Sequence, residues 1–155
     1  MPNYGKQFEN KFRQDWNNSF PGTFLLRLND QVSGYKYTSA NLCDFIAYVD
    51  GKLFLLECKS HSGASLPFSS VSQYDRLKQF VGIPGIRVGI ILWLYEKDKC
   101  LYVPIKTVTK LLSNNEQSVG IRHLGKEELI DIPSKKKRVF LDSDYKQLLD
   151  LEETW

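Results

Sequence analysis

Three residues hold the chemistry: Asp44, Glu57 and Lys59. Two carboxylates and an ammonium become a site only if the chain brings them together, and the segment between them predicts that it does. Leu42 to Val49 and Lys52 to Lys59 read as two strands, joined by Asp50-Gly51, a two-residue signal for a type I′ turn. A turn there pairs residues whose numbers sum to 101, so Tyr48 faces Leu53 and Asp44 faces Glu57. Counting outward from the closing pair, 44 and 57 form a non-hydrogen-bonded pair, whose Cα atoms lie about 4.5 Å apart with side chains on one face. Lys59 joins that face because side chains repeat every second residue.

Two carboxylates set directly opposite each other repel unless a cation lies between them. A hard divalent ion suits the pair: Mg²⁺ takes one or two carboxylate oxygens and fills its shell with water and a substrate phosphate. An ammonium beside it can hold a water or stabilise charge developing on a phosphate oxygen. The set fits metal-assisted phosphodiester hydrolysis. On its own, Glu-x-Lys is more often a solvated strand face with a weak ion pair. The flanking Leu53, Phe54, Leu55 and Leu56 argue for a buried strand, where two terminal charges call for another explanation.

The elements that must position this hairpin follow from pattern. Phe8, Phe12 and Trp16 recur every fourth residue and predict a helix over Tyr4 to Asn18, ended by Pro21-Gly22. Phe24 to Leu28 reads as a strand and Asn29 to Asn41 as a polar loop or short edge. After a turn-rich stretch from His61 to Phe68, Ser70 can cap a helix running to Phe80, with Gln73 at the N3 position of a capping box. Val88 to Tyr95 is apolar but for Gly89, as in a central strand covered on both faces, and far too short to cross a bilayer. Glu96 to Lys99 turns into a strand over Cys100 to Val103. Pro104 opens a helix to about Leu112, Asn114 to Gly120 is a loop, and a last helix is expected from Ser143 to Glu153. The order α-β-β-β-α-β-β-α predicts an α/β (α+β) fold, a mixed β-sheet flanked by helices in a single domain over residues 1–155.

Composition bounds the partners. The chain has 155 residues, 42% apolar and 25% charged, an ordinary globular mix. Its 21 basic and 18 acidic residues leave a net charge of +3, which permits a nucleic-acid partner without requiring one. The first dozen residues lack an apolar stretch of the kind a secretory signal needs. Cys43, Cys58 and Cys100 have no metal-ligand spacing and read as buried thiols of a reducing, cytoplasmic compartment. Cations are scattered at Lys6, Arg13, Arg27, Lys36, Arg76 and Lys78, with a run at Lys135, Lys136, Lys137 and Arg138 that equally suits a mobile loop.

The span from Asp44 through twelve residues to Glu57-Cys58-Lys59 resembles the PD-(D/E)xK nuclease motif, without the proline usual before the first acid. The chain is similar in particular to RecU-type Holliday junction resolvases, also called penicillin-binding protein-related factor A. The likeness rests on Tyr4-Gly5-Lys6-Gln7-Phe8-Glu9, the Asp44 to Lys59 hairpin, Leu66-Pro67-Phe68 leading to Gln73, and Gly89-Ile90-Ile91-Leu92 followed by Tyr102-Val103-Pro104-Ile105.

The resemblance implies a restriction-endonuclease-like core and a structure-selective DNA endonuclease of recombination or repair. Its partners would be branched or duplex DNA and a second copy of the chain, with no membrane. Asp44 and Glu57, with the Cys58 carbonyl, would bind Mg²⁺, for which Mn²⁺ can substitute. Lys59 would position the attacking water, Glu9 would stand near the metal or its waters, and Gln73 would orient Lys59 or the scissile phosphate. Lys6, Arg13, Arg76 and the run Lys135 to Arg138 would meet the DNA backbone. Glu9 has a simpler alternative, an ion pair with Arg13 four residues on, and Gln73 can be no more than half of a capping box. The long stalk insertion of RecU proteins has no counterpart between Phe20 and Asp44, so a nuclease of linear duplex and a catalytically silent DNA-binding relative stay open beside the resolvase.

Overall fold

The computed structural model describes residues 3–28 and 41–151. Helix α1 (Tyr4–Ser19) leads into strand β1 (Phe24–Arg27), followed by β2 (Phe45–Val49) and β3 (Lys52–His61). Next come β4 (Ser65–Pro67), α2 (Tyr74–Leu77), β5 (Ile86–Leu94), β6 (Lys99–Pro104) and α3 (Ile105–Ser113). The chain finishes with short strands β7 (Ser118–Gly120), β8 (Ile130–Asp131), β9 (Ser134–Lys136) and β10 (Leu141–Ser143), then a 3₁₀ turn over Lys146–Asp150.

Six strands form one sheet in the order β1-β2-β3-β5-β6-β8. Every neighbouring pair is antiparallel except β3 with β5, which run parallel. The expected mixed sheet flanked by helices is the observed fold. The β2–β3 register is the expected one: Tyr48 faces Leu53 and Val49 faces Lys52. Asp50 and Gly51 take φ of 50° and 77°, the left-handed pair a type I′ turn needs.

Alternation sends the sheet's side chains to two cores. Phe45, Phe54, Leu56, Ile91 and Tyr102 pack against the Phe8, Phe12 and Trp16 stripe of α1, with Tyr145 from the C-terminal segment. Leu55, Val88, Ile90, Leu92 and Val103 pack against Ile105, Val108 and Leu111 of α3. Strand β5 feeds both cores, which is why its sequence is apolar throughout. Asp15 and Ser19 of α1 accept the Ser143 and Tyr145 N–H groups, each at 3.0 Å, and tie the chain's end to its beginning.

Several expectations need correction. The helix expected from Ser70 to Phe80 is only the single turn of α2 between 3₁₀ turns at Phe68–Ser70 and Lys78–Phe80. Its capping box does not form, because the Ser70 hydroxyl donates to the Pro67 carbonyl and the Gln73 side chain accepts from Ser72. The last helix gives way to β10 and a 3₁₀ turn, since Leu141 and Ser143 pair with β9. The basic run is ordered: Lys135 and Lys136 lie on β9, Lys136 bonds Asp98 at 2.7 Å, and Lys137 stands 3.5 Å from Asp142. Strand β2 begins at Phe45, not Leu42, and β3 continues past Lys59 to His61. Most of the loop expected over residues 29–41 falls outside the described residues.

Gly89 leaves room for an aromatic ring: a Cβ placed there would lie 2.3 Å from the Tyr102 ring. Gly89→Ala is therefore expected to destabilise the fold by about 1–3 kcal/mol, the usual effect of overpacking, measurable by urea unfolding. An unchanged midpoint would contradict this packing.

Candidate active site

The site arises where two neighbouring strands stop at different heights. The β2–β3 ladder ends at Phe45 and Leu56, but β3 runs on to His61, held by β5 on its other side. In a strand the N–H and C=O of one residue point the same way, and those of Cys58 point toward the place β2 has vacated. Asp44 occupies that place. Its own N–H donates to the Leu56 carbonyl at 3.1 Å, and its carboxylate Oδ2 accepts the Cys58 N–H at 2.9 Å. A side chain thus replaces one rung of the sheet and sits at its free edge, between the two faces.

Glu57 projects from the adjacent position and is only 2% exposed. Its Oε1 is 3.8 Å from the Lys59 ammonium, while its Oε2 is buried and has no hydrogen-bond partner. Burial pushes the Glu57 carboxyl up to about 8. The Asp44 charge, a hydrogen bond shared with Asp44 and a smaller push from Glu9 add to this, and Lys59 opposes it. The structure therefore brings Asp44, Glu57 and Lys59 together. The Cys58 thiol faces the α1 core, where burial raises its pKa well above the ordinary value. The Cys58 backbone, not its thiol, faces this edge, where the N–H already holds Asp44.

Glu9 stands on α1, at the side of the sheet that Phe45 and Cys58 face. Its partner is Arg27 rather than Arg13: Arg27 Nε and Nη2 donate to Glu9 Oε2 at 2.9 and 2.5 Å. Lys6, Glu9, Asn10, Arg13 and Arg27 line an open groove of about 470 Å³. Arg27 was legible in the sequence only as scattered charge. In the structure it lies opposite Phe45, next to Asp44, a register that no local signal in the sequence sets.

Gln73 makes no hydrogen bond to Lys59 among the described residues. Arg76 reaches the Asn41 carbonyl at 3.5 Å, close in sequence to Asp44. The run Lys135 to Arg138 is on the β9–β10 hairpin, and Lys136 and Lys137 lie against carboxylates there. His61 ends β3 on the same side as Glu57 and Lys59, its Nδ1–H donating to the Ser62 carbonyl at 2.6 Å.

Among the described residues no three His, Cys, Asp or Glu side chains cluster tightly enough to hold a metal alone. The donor set here is of another kind. Two carboxylates share one edge with a strand carbonyl beside them, and one buried oxygen lacks a partner. That fits a hard cation of the Mg²⁺ type, which needs few protein ligands.

No family model matches the chain, and no curated protein sequence matches it. Among solved structures it is similar to Hjc of Archaeoglobus fulgidus, a Holliday junction resolvase from an archaeal hyperthermophile. The identity is 18% over 82% of this chain and 88% of that one, with a TM-score of 0.49. No helix among the described residues is long and apolar enough to cross a membrane.

The raised Glu57 carboxyl predicts a pH dependence. Below the ordinary carboxylate range Glu57 is protonated in both folded and unfolded chains. As pH rises toward about 8, the unfolded chain releases this proton first, so the metal-free fold loses stability over that interval. Denaturant unfolding in chelator at pH 5 and pH 8 is expected to show a loss that Glu57→Gln removes, on the order of a few kcal/mol. Equal pH slopes for both proteins would overturn the assignment.

Proposed function

We propose that this chain is a divalent-cation-dependent DNA endonuclease of the Holliday junction resolvase kind, cutting phosphodiester bonds in branched DNA. The observation that carries the reading is the meeting of Asp44 and buried Glu57 at the free edge of β3, with Lys59 3.8 Å from Glu57. The order of motifs resembling RecU proteins adds to it. Asp44, Glu57 and the Cys58 carbonyl would hold Mg²⁺ or Mn²⁺, which supplies Lewis-acid activation of water and phosphate.

The chain's own groups do the rest. Asp44 is held by the Cys58 N–H and Glu57 by its buried position, so neither carboxylate has to be ordered when the substrate arrives. The Lys59 ammonium has three donors. One faces Glu57; the others are free to hold the attacking water and a non-bridging phosphate oxygen, where negative charge grows as the water oxygen bonds to phosphorus and the sugar oxygen leaves. Lys6 and Arg13, along the α1 groove, would carry the flanking backbone. Recognition of this kind reads phosphates and shape rather than bases.

Paired cuts on two strands require two such sites, so the active form would be a homodimer. Strand β1 is an edge of the sheet, and Phe24, Leu26 and neighbouring Tyr48 are 53%, 46% and 53% exposed, an apolar surface a second copy can cover. A second reading, a nuclease of linear duplex, is favoured by the short segment between Phe20 and Asp44, where the resembled RecU proteins carry a long stalk insertion.

A labelled four-way junction, a flap and a plain duplex, each incubated with Mg²⁺, test both readings. Junction cleavage is expected to exceed duplex cleavage, and Asp44→Asn and Lys59→Ala are each expected to lower it about 100-fold or more. Equal cleavage of junction and duplex would select the second reading. Metal-independent junction binding with no nicking would mark a silent relative. Full activity in both variants would dismiss the site.

A further inference from the structure

Glu9 and Arg27 form an ion pair that joins α1 to the sheet edge near the carboxylates. Arg27 donates twice to a single oxygen, Glu9 Oε2, at 2.9 and 2.5 Å, and both side chains are largely shielded. The pair has two competing attractions. On one side lies the groove it shares with Lys6 and Arg13, whose charge suits an anion. On the other lies the Asp44–Glu57 edge, where Glu9 already adds to the field on Glu57 and Cys58. A guanidinium fork binds a phosphate as well as a carboxylate. A backbone phosphate in the groove would therefore compete with Glu9 for the same donors.

We propose that the Arg27–Glu9 ion pair is a substrate-operated latch: a DNA phosphate entering the α1 groove takes Arg27, and the released Glu9 turns to the Asp44–Glu57 edge as a further carboxylate toward the cation. The proposal rests on the cation site of the proposed function. It makes Arg27 a positioning residue. DNA binding and cation binding are then coupled through Glu9, and by linkage each strengthens the other equally.

Both directions are measurable without catalysis. In DNA-free protein titrated with Mn²⁺ by calorimetry, Arg27→Met is expected to raise Mn²⁺ affinity about 5-fold or more, the low end of ordinary coupling between sites. Lys6→Met removes the same charge from the same groove but breaks no bond to Glu9, and it is expected to leave Mn²⁺ affinity near wild type. In chelator, with labelled duplex DNA followed by anisotropy, Glu9→Gln is expected to tighten DNA binding by removing the charged competitor for the Arg27 guanidinium. Both gains should vanish in the double variant, because each depends on the other residue.

The latch is overturned if Arg27→Met leaves Mn²⁺ affinity unchanged, if Lys6→Met raises it as much, or if either gain survives in the double variant. Arg27→Gln serves as a milder second variant, and thermal unfolding checks that each protein is folded. Asp44→Asn separates the two ideas. Wild-type Mn²⁺ affinity in that variant would remove the cation site itself, whereas weakened affinity without a gain in Arg27→Met would remove only the latch.

Discussion

Everything at this site depends on β3 outlasting β2. A paired strand satisfies its own N–H and C=O groups, and a side chain beside it has only two faces to choose from. Where β2 stops at Phe45 and β3 continues, Cys58 is left with a donor and an acceptor aimed sideways, and Asp44 supplies the missing rung with a carboxylate. That substitution puts negative charge in the plane of the sheet. Groups from above and below can then reach one point, which a continuous sheet would forbid. It explains how Glu57, facing the α3 side, and Glu9, on the α1 side, both act electrostatically at the same edge.

The rest of the fold braces that corner and buries Glu57 within it. Strand β3 is held along its length by β5, and β5 in turn carries side chains into both cores. Helix α1 is anchored by three stacked aromatic positions and by Asp15 and Ser19, which grip the C-terminal segment. A carboxyl group pressed into such surroundings loses its water and holds its proton, as Glu57 does. The fold opposes a free Glu57 anion and accepts one that is compensated by charge.

The hairpin was legible because its signals are local. Asp50-Gly51 specifies a turn, the turn specifies a register, and that register holds up to Phe45 opposite Leu56, one step short of Asp44 and Glu57. The α1 stripe and the twice-buried β5 were legible for the same reason, as periodicities of one element. What was not legible depends on partners distant in sequence. Ser143 reads as the start of a helix until Ser134 is known to pair with it. Ser70 and Gln73 have the spacing of a capping box, but the Pro67 carbonyl and the Ser72 hydroxyl capture them first. Glu9 has Arg13 one turn away on its helix, yet a guanidinium from a strand eighteen residues further on provides the better geometry.

That last case carries a wider consequence. A surface i,i+4 pair on a helix is weak, worth about 0.3–0.5 kcal/mol, and leaves the carboxylate free to rotate. The contact from Arg27, two donors on one oxygen, fixes the Glu9 carboxylate against the sheet. With only two carboxylates at the edge, the site avoids the full repulsion of three while no cation is bound, a condition in which Glu57 already resists ionisation. In the proposed latch, the same contact sets the condition for adding a third carboxylate: something must offer Arg27 a better anion.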